Sequence, residues 1–254
     1  RKKLGQLSGQ STKRNTMWRP PEGEETTIRI VPFVDNDGNP FKERWFYYNI
    51  GNNPGLLAPY QFGNDDPIQE LIQKLRDDRS KESYELAKKL YPKMRAYAAV
   101  IVRGEEDKGV RLWSFGKQVY QSLLNFMLDE DYGDITDPAN GHDIRVTCTK
   151  APGRKWATTE VRPRPKSSSL SKDSKQVKEW TTSIPDLGAM YQCKSYDELE
   201  NIINAWLEGD EEPSQNDFKP RNDSATTDNS SNSSQSTSGD PMSKIDEAFA
   251  DLDF

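Results

Sequence analysis

Two strand-like segments of the chain, Met94–Arg103 and Val110–Phe115, alternate apolar residues with arginines and aromatics. Successive side chains of a strand point to opposite faces, so each segment separates into a core face and a second face. We expect the second faces of both strands to lie on the same side of one sheet. Their members are Arg95, Tyr97, Ile101 and Arg103 in the first segment, and Arg111, Trp113 and Phe115 in the second.

Arginines beside exposed rings suit single-stranded nucleic acid, because cations follow the phosphates while the rings stack on unpaired bases. Such stacking contributes roughly 1–3 kcal/mol per base. Further candidates for DNA contact are the cations and rings near these strands: Lys93, Lys117, Lys155, Arg162, Arg164, Lys166, Trp45, Tyr47 and Tyr91. The alternative is that Trp113 and Phe115 face a second core layer, with the arginines as a solvated rim.

The sequence motifs of common enzymes are absent: there is no P-loop, no G-x-G-x-x-G and no H-E-x-x-H. The acidic runs at 65–66 and 129–131 could chelate magnesium in a nuclease, but no third ligand is evident, and such runs are more often solvated loops. His142, the single histidine, follows a glycine and is expected in a turn rather than as a base or ligand. We therefore predict no catalytic residues, and a metal-dependent nuclease remains the alternative function.

The elements that must position these residues can be predicted from periodicity and turn residues. Strands are expected at Thr26–Val34, Arg44–Ile50, Asp143–Thr149 and Lys155–Arg162, besides the two above. Helices are expected from Ile68 to Leu75, at Glu82–Tyr91, at Lys117–Leu128 and after the capping box Ser195–Glu198. The Pro/Ser-rich segment Arg162–Ser174 is predicted to be a basic loop. The predicted fold class is α+β, with an OB-fold-like β-barrel core, added helices and flexible tails.

Charge is distributed unevenly along the 254 residues, whose net charge is -6. From Gly209 onward there are 11 acidic and 3 basic residues, which leaves 32 basic and 30 acidic residues before it. The acidic balance therefore belongs to the C-terminal segment, and the preceding part is mildly basic. Two cysteines are too few for a disulfide framework and suit a reducing cytoplasm. No apolar run approaches the length of a membrane span.

Composition divides the chain into three regions. Residues 1–20 form a basic arm, residues 21–209 hold the apolar content of a folded core, and residues 210–254 form an acidic tail. The tail has too few apolar residues up to residue 240 to offset the entropy of ordering. Its end, Ser243–Phe254, has an acidic-amphipathic pattern typical of a protein-interaction motif. Its candidate contact residues are Ile245, Asp246, Phe249, Asp251, Leu252, Asp253 and Phe254. An adaptor that binds partners only through this motif, without DNA affinity, is a further alternative.

The segment Gly109–Leu124 resembles the strand-to-helix passage of the T-even-like phage single-stranded DNA-binding proteins. The basic-aromatic strand Lys93–Arg103 and the aromatic block Trp45–Tyr48 precede it in matching order, the hairpin region 143–162 follows it, and both tails agree. The resemblance covers most of the chain. It implies an OB-fold core whose positively charged cleft binds single-stranded DNA, contacting it by position through Lys93, Arg95, Tyr97, Arg111, Trp113 and Lys117.

The resemblance also implies partners. In that family a basic N-terminal motif engages the neighbouring subunit and gives cooperative binding; Arg1, Lys2 and Lys3 match its basic part, although Leu4-Gly5 stands where Ser/Thr is expected. The family's acidic tail recruits replication and recombination proteins. The implied setting is phage DNA replication, recombination and repair in the cytoplasm of the infected bacterial host. RNA stays an open alternative partner, since stacking surfaces accept both sugars.

One departure concerns metal. The best-known members of that family bind a structural zinc through one His and three Cys after the aromatic strand, and the matching segment here, Asn52–Leu75, has neither residue type. We expect no zinc and no other cofactor, with hydrophobic contacts holding this segment instead. The two aromatics of the family's loop after the second hairpin are also replaced, by Arg162, Arg164 and Lys166, which favours phosphate contacts there.

Overall fold

The computed structural model describes residues 16–36, 39–154 and 156–209. Strands and helices alternate irregularly along the chain, which confirms the α+β class. The strands are β1 (Met17–Trp18), β2 (Glu25–Val31), β3 (Lys42–Tyr47), β4 (Leu56–Leu57), β5 (Lys93–Val102), β6 (Arg111–Phe115), β7 (His142–Thr149) and β8 (Thr158–Ser167). The α-helices are α1 (Pro67–Asp78), α2 (Lys81–Leu90), α3 (Lys117–Leu128), α4 (Ser174–Thr182), α5 (Leu187–Met190) and α6 (Tyr196–Glu208). Short 3-10 turns lie at Pro59–Phe62 and Glu106–Lys108.

The eight strands belong to one mixed sheet: six follow the order β1-β6-β5-β2-β7-β8, and β3 joins it through β5 and carries β4. The long strand β5 pairs with β6 along one edge and with both β2 and β3 along the other. Only the short β1–β6 pairing is parallel among the described strand pairs. No pairing between β8 and β1 closes the sheet into a barrel within the described residues. The core is therefore OB-like in topology and open at its edges.

One face of the sheet covers an apolar core to which β2, β5, β6, β7, β8 and α3 contribute. The predicted inward face of β5 is confirmed, since Ala96, Ala98 and Val100 are fully buried there. Ile144 and Val146 of β7 complete the layer, and the apolar side of α3 closes it. This is the core that alternation in β5 predicted.

The opposite face of β2, β5 and β6 is buried as well. The segment from residue 170 to 191, which includes α4 and α5, packs across it through Leu170, Trp180 and Leu187. Neither helix was predicted from the sequence. The sheet thus has a second apolar layer where an exposed binding face was expected.

A third apolar cluster joins α1, α6 and the β3–β4 region into a lobe beside the sheet. Its polar centre is Asp66, which is 4% exposed and caps α1 by accepting hydrogen bonds from the amides of Ile68 and Gln69. The hydroxyl of Tyr47 donates to the same carboxylate at 2.8 Å. The predicted capping box of α6 is present at Ser195.

Two sequence expectations fail near the C-terminal end of the sheet. Arg162–Ser174 is not simply a loop, because β8 continues as a strand to Ser167. Its prolines, at 163 and 165, are tolerated because β8 is an edge strand. No further strand lies on its outer side, so no inter-strand hydrogen bond is lost there for want of an N–H group. His142 is not in a turn but begins β7 and is 5% exposed. No helix in the described ranges is long and apolar enough to span a membrane.

Candidate nucleic-acid interface

The register between β5 and β6 separates the aromatics that were expected to share a face. Trp113 lies opposite Ala98, and Phe115 opposite Ala96, so both rings enter the first core. Tyr97 lies opposite Ser114 and enters the second. The expectation of one joint arginine-aromatic face on β5 and β6 is therefore wrong. The alternative, that Trp113 and Phe115 are buried in a core layer, was correct in that both rings are buried. The core that they enter is the first one and not a second layer.

Burial removes four predicted stacking residues from the surface. Trp113 is 1% exposed, Tyr97 2% and Phe115 4%, and Tyr47 is fully buried against Asp66. Trp113 packs edge-on against Trp18, with ring centroids 5.5 Å apart. These rings hold the cores together and present no face to a base. Burial raises the pKa of the Tyr97 hydroxyl, as expected for a ring enclosed on all sides.

A different set of cations and rings lies together at the β3–β5 edge of the second face. Arg44 of β3 lies directly opposite Arg95 of β5 in the antiparallel register, and Phe46 lies opposite Lys93. Phe62, from the 3-10 turn, is 47% exposed, and its ring centroid lies 5.5 Å from the Arg44 guanidinium carbon. Tyr48 packs beside Phe46 with ring centroids 6.0 Å apart. We name Arg44, Tyr48, Phe62, Lys93 and Arg95 the β3–β5 patch.

Electrostatics in the β3–β5 patch favour an anion. Burial and the neighbouring charge of Arg95 lower the pKa of Lys93. Tyr48, whose pKa is raised by burial, is also coupled to Arg95, which opposes that rise. Like charges directly opposite across a strand pair destabilise a sheet. An arrangement that costs stability locally, at a partly exposed site, is typical of a surface built to bind an oppositely charged group.

Three members of this patch, Arg44, Tyr48 and Phe62, were not predicted. The sequence reasoning chose Trp45 and Tyr47 from the aromatic block, which lie on the other face of β3 and pack toward the lobe. Alternation alone could have corrected this choice, because Arg44, Phe46 and Tyr48 are two residues apart and therefore lie on the same face of the strand. Phe62 has no such signal, since it lies in an irregular turn whose approach to β3 depends on Gln61 bonding to the carbonyl of Trp45 at 3.0 Å.

The second exposed group of cations follows the outer face of the β7–β8 hairpin. Arg162, Arg164 and Lys166 alternate with buried or proline positions and are exposed, and Arg145 lies directly opposite Arg162. Their acidic neighbours are distant or solvated: Arg145 reaches Glu25 at 3.5 Å, and Arg162 reaches Glu160 at 3.8 Å. Exposed pairs of this kind contribute little. We name these four cations the β8 ladder.

Two predicted DNA-contact arginines are already bound within the protein. Arg103 forms an ion pair with Asp143 at 2.8 Å and donates to the carbonyls of Ser169 and Leu170. Arg111 forms an ion pair with Glu105 at 2.6 Å. Both side chains are mostly buried, so their geometry fits a structural role better than a phosphate contact.

The remaining predicted residues are dispersed. Lys117 is exposed at the start of α3, and Trp45 and Tyr91 are half-buried beside the lobe. Lys155, the arm residues Arg1–Lys3 and the terminal motif 243–254 lie outside the described residues. Of the predicted residues, the structure thus places Lys93 and Arg95 together in the β3–β5 patch. It places Arg162, Arg164 and Lys166 together in the β8 ladder.

The zinc known from the resembling family does not fit the residues present here. The segment from 52 to 75 offers no Cys or His, and its buried carboxylate, Asp66, already accepts hydrogen bonds from two amides and Tyr47. Across the described residues, no three His, Cys, Asp or Glu side chains gather as a metal-binding group. The expectation of a zinc-free lobe remains a prediction, because a structure without ligands does not test it.

An OB-like sheet with exposed cations and an exposed ring is typical of proteins that bind nucleic acid. Residues 22–207 match the family described as gp32 DNA binding protein like. The chain belongs to this family, which confirms the resemblance that the sequence suggested. It is a DNA-binding family and not a family of enzymes, and single-stranded DNA is the partner that membership supports. The search of curated proteins found no significant match.

Proposed function

We propose that this protein binds single-stranded DNA with little sequence preference, using the β3–β5 patch for bases and phosphates and the β8 ladder for phosphates. The observation that supports this most is the direct opposition of Arg44 and Arg95 beside the exposed ring of Phe62. Guanidinium groups bind phosphates through paired hydrogen bonds, and an exposed ring stacks on any base. Neither contact depends on which base is present.

The biological setting that we propose is the replication, recombination and repair of phage DNA in the cytoplasm of the infected bacterial host. Family membership and the order of the sequence features support this setting. We further propose cooperative binding through Arg1, Lys2 and Lys3, and recruitment of replication and recombination proteins through the terminal motif 243–254. These two proposals rest on sequence and resemblance, since both segments lie outside the described residues.

The binding proposal is tested by fluorescence anisotropy with an end-labelled oligo-dT and a duplex of equal length. Affinity for the single strand should exceed that for the duplex and fall steeply with salt, with a log-log slope of about -0.7 per neutralised phosphate. Equal affinity for the duplex, or a flat salt dependence, would contradict the proposal. An oligo-rU of the same length, titrated in parallel, shows whether RNA competes.

Two variants test the proposed roles of the terminal segments. Replacing Arg1, Lys2 and Lys3 by glutamine should weaken binding to a long strand but not to one that holds a single protein. Deleting the residues after Gly209 removes 11 acidic and 3 basic residues, counting from Gly209 onward. If this polyanion competes with DNA, the deletion tightens binding at low salt. Unchanged low-salt affinity after the deletion would exclude that competition.

A further inference from the structure

The basic part of β8 is irregular at the point where its cations lie. Ile144 of β7 pairs with Pro163, and His142 pairs with Ser167, so three residues of β8 lie opposite the single residue Asp143. Those three residues are Arg164, Pro165 and Lys166, and two of them belong to the β8 ladder. A bulge of this kind leaves residues without inter-strand hydrogen bonds and changes the direction of their side chains. Something other than regular strand pairing must therefore fix this segment.

Three donor side chains from other elements bind backbone carbonyls in the bulge and in the three residues that follow β8. The ring nitrogen Nδ1 of His142 donates to the carbonyl of Arg164 at 2.7 Å. Arg29 donates through Nη2 to the carbonyl of Ser168 at 2.9 Å, and also to that of Asp137 at 2.6 Å. Arg103 donates to the carbonyls of Ser169 at 3.3 Å and Leu170 at 2.9 Å. The carbonyls bound run in sequence from the bulge to the segment that covers the second face.

Burying a charged or polar donor lowers the stability of the fold unless the donor makes hydrogen bonds, so the position of these side chains needs an explanation. Arg29 is fully buried in the middle of β2, and its Nε and Nη1 have no hydrogen-bond partner among the described residues. Desolvation lowers its pKa to about 10. His142 is 5% exposed and packs against the edge of Tyr132, with ring centroids 5.4 Å apart. Both Arg29 and His142 are buried, and both donate hydrogen bonds to carbonyls between residues 164 and 168. We therefore expect the position of this segment to matter for function.

We propose that His142, Arg29 and Arg103 are positioning residues that fix the segment from Arg164 to Leu170 and so aim the β8 ladder at the DNA backbone. This inference rests on the proposed function. Arg103 then acts through the carbonyls of Ser169 and Leu170 and not by contacting phosphate itself. Without these donors, Arg164 and Lys166 keep their charges but lose a common direction, and fewer phosphates are neutralised per protein.

The first test compares His142→Leu with His142→Asn by measuring the salt dependence of oligo-dT binding. Asparagine can place an N–H donor near the position of Nδ1, whereas leucine cannot. The leucine variant should lose about one or two phosphate contacts, which lowers the steepness of the log-log salt slope by roughly 0.7–1.4. The asparagine variant should restore most of the slope. Identical slopes for leucine and asparagine variants, or a wild-type slope in both, would overturn the proposal.

A second test uses Arg103→Lys, which keeps the charge but cannot bind Asp143 and two carbonyls in the same fork geometry. A reduced slope is expected, as for His142→Leu, whereas a direct phosphate contact would survive the lysine. The matched control is Arg154→Lys, an exposed and charge-preserving change outside both surfaces, which should keep the wild-type slope. If Arg103→Lys also keeps it, Arg103 does not position the segment.

Two further measurements separate positioning from general destabilisation and from the proposed function. Leu199→Ala weakens the third apolar cluster, which contains no residue of β7 or β8, and should leave the salt slope unchanged. Amide hydrogen exchange without DNA should accelerate in the Arg103→Lys variant at Ser168 and Leu170, whose N–H groups bond to Gly141 and Pro138. Failure of the wild-type protein to bind oligo-dT would overturn the proposed function, whereas wild-type binding with unchanged exchange and slopes would overturn only the positioning proposal.

Discussion

The β3–β5 patch and the β8 ladder are both cationic, but they differ in what surrounds the charge. In the patch, Arg44 and Arg95 are half-buried beside an exposed ring, and the nearby Lys93 has a lowered pKa. In the ladder, the cations at 162, 164 and 166 are exposed, and none of them lies over a ring of the described residues. Charge in a less solvated place interacts more strongly and is screened less by salt. The patch should therefore determine affinity, and the ladder should determine mainly salt dependence.

The largest expected effect comes from removing both arginines of the patch. Arg44→Gln with Arg95→Gln should weaken oligo-dT binding about a hundredfold or more, since a hydrogen bond to a charged group contributes roughly 1.5–3 kcal/mol and about 1.4 kcal/mol is tenfold. The control removes two charges elsewhere, by Lys88→Gln with Lys89→Gln on α2, which are exposed. Equal losses in both double variants would show that only total charge matters.

The next effect separates stacking from charge. Phe62→Ala should weaken single-strand binding roughly tenfold, in line with about 1–3 kcal/mol per stacked base, and should leave the salt slope unchanged. The measurement is anisotropy at several salt concentrations with oligo-dT. Leu128→Ala is the matched control, because Leu128 is 83% exposed at the end of α3. A change of slope in Phe62→Ala would contradict a stacking role.

Smaller effects are expected in the ladder. Arg162→Gln and Arg164→Gln should each weaken low-salt binding a few-fold and reduce the steepness of the slope by about 0.7. At high salt these variants should approach wild-type affinity, because the charges are solvated and screened. If instead the loss persists at high salt, the ladder resembles the patch and the distinction between the two surfaces fails.

A still smaller effect concerns pH. The pKa of Lys93 is lowered from its ordinary value of 10.5 by burial and by Arg95, so this lysine loses its charge at a lower pH than an exposed lysine. Phosphate favours the protonated form, and binding should therefore weaken as pH rises through the lowered pKa. The expected loss is about twofold to threefold once the pH exceeds that lowered pKa. Lys93→Arg should remove this dependence; an unchanged pH profile would show that Lys93 does not contact DNA.

The smallest expected effect is that of a chelator. The lobe that supports Phe62 is organised by Asp66 and apolar contacts, and EDTA should leave both the Tm and oligo-dT affinity unchanged. Asp66→Ala, by contrast, should lower stability by more than the about 1–2 kcal/mol of a lost helix cap, because it also leaves the buried Tyr47 hydroxyl without its acceptor. A fall in Tm on chelation would show that a metal stabilises the lobe after all.

Elements defined by local periodicity could be predicted from the sequence, whereas those defined by strand register could not. The β5 core face, the bounds of α3 and the capping box at Ser195 follow from local periodicity and were predicted correctly. The face assignment of β6 failed because it depends on the register with β5 across the connection at 104–109. A shift of one residue moves every side chain to the other face. Composition gives no information about that register.

The second core layer was missed for a related reason. The segment from 170 to 191 is hardly richer in apolar residues than the chain as a whole, yet Leu170, Trp180 and Leu187 are each almost fully buried on the sheet. Its placement depends on distant side chains, including the hydrogen bonds from Arg103 to carbonyls of residues 169 and 170. Long-range contacts of this kind leave no periodic signal in either partner. The β3–β5 patch, which combines a strand pair with an irregular turn, shares this difficulty.

The prolines of β8 have a consequence for how copies of this protein can coexist. An exposed edge strand offers unpaired N–H and C=O groups that recruit another strand and start aggregation. Pro163 and Pro165 have no N–H to offer, and the exposed cations beside them repel an identical edge. If several molecules occupy one DNA strand, as we propose, they meet at high local concentration. The segment that we propose for phosphate contact would then also keep the sheets of neighbouring molecules from pairing.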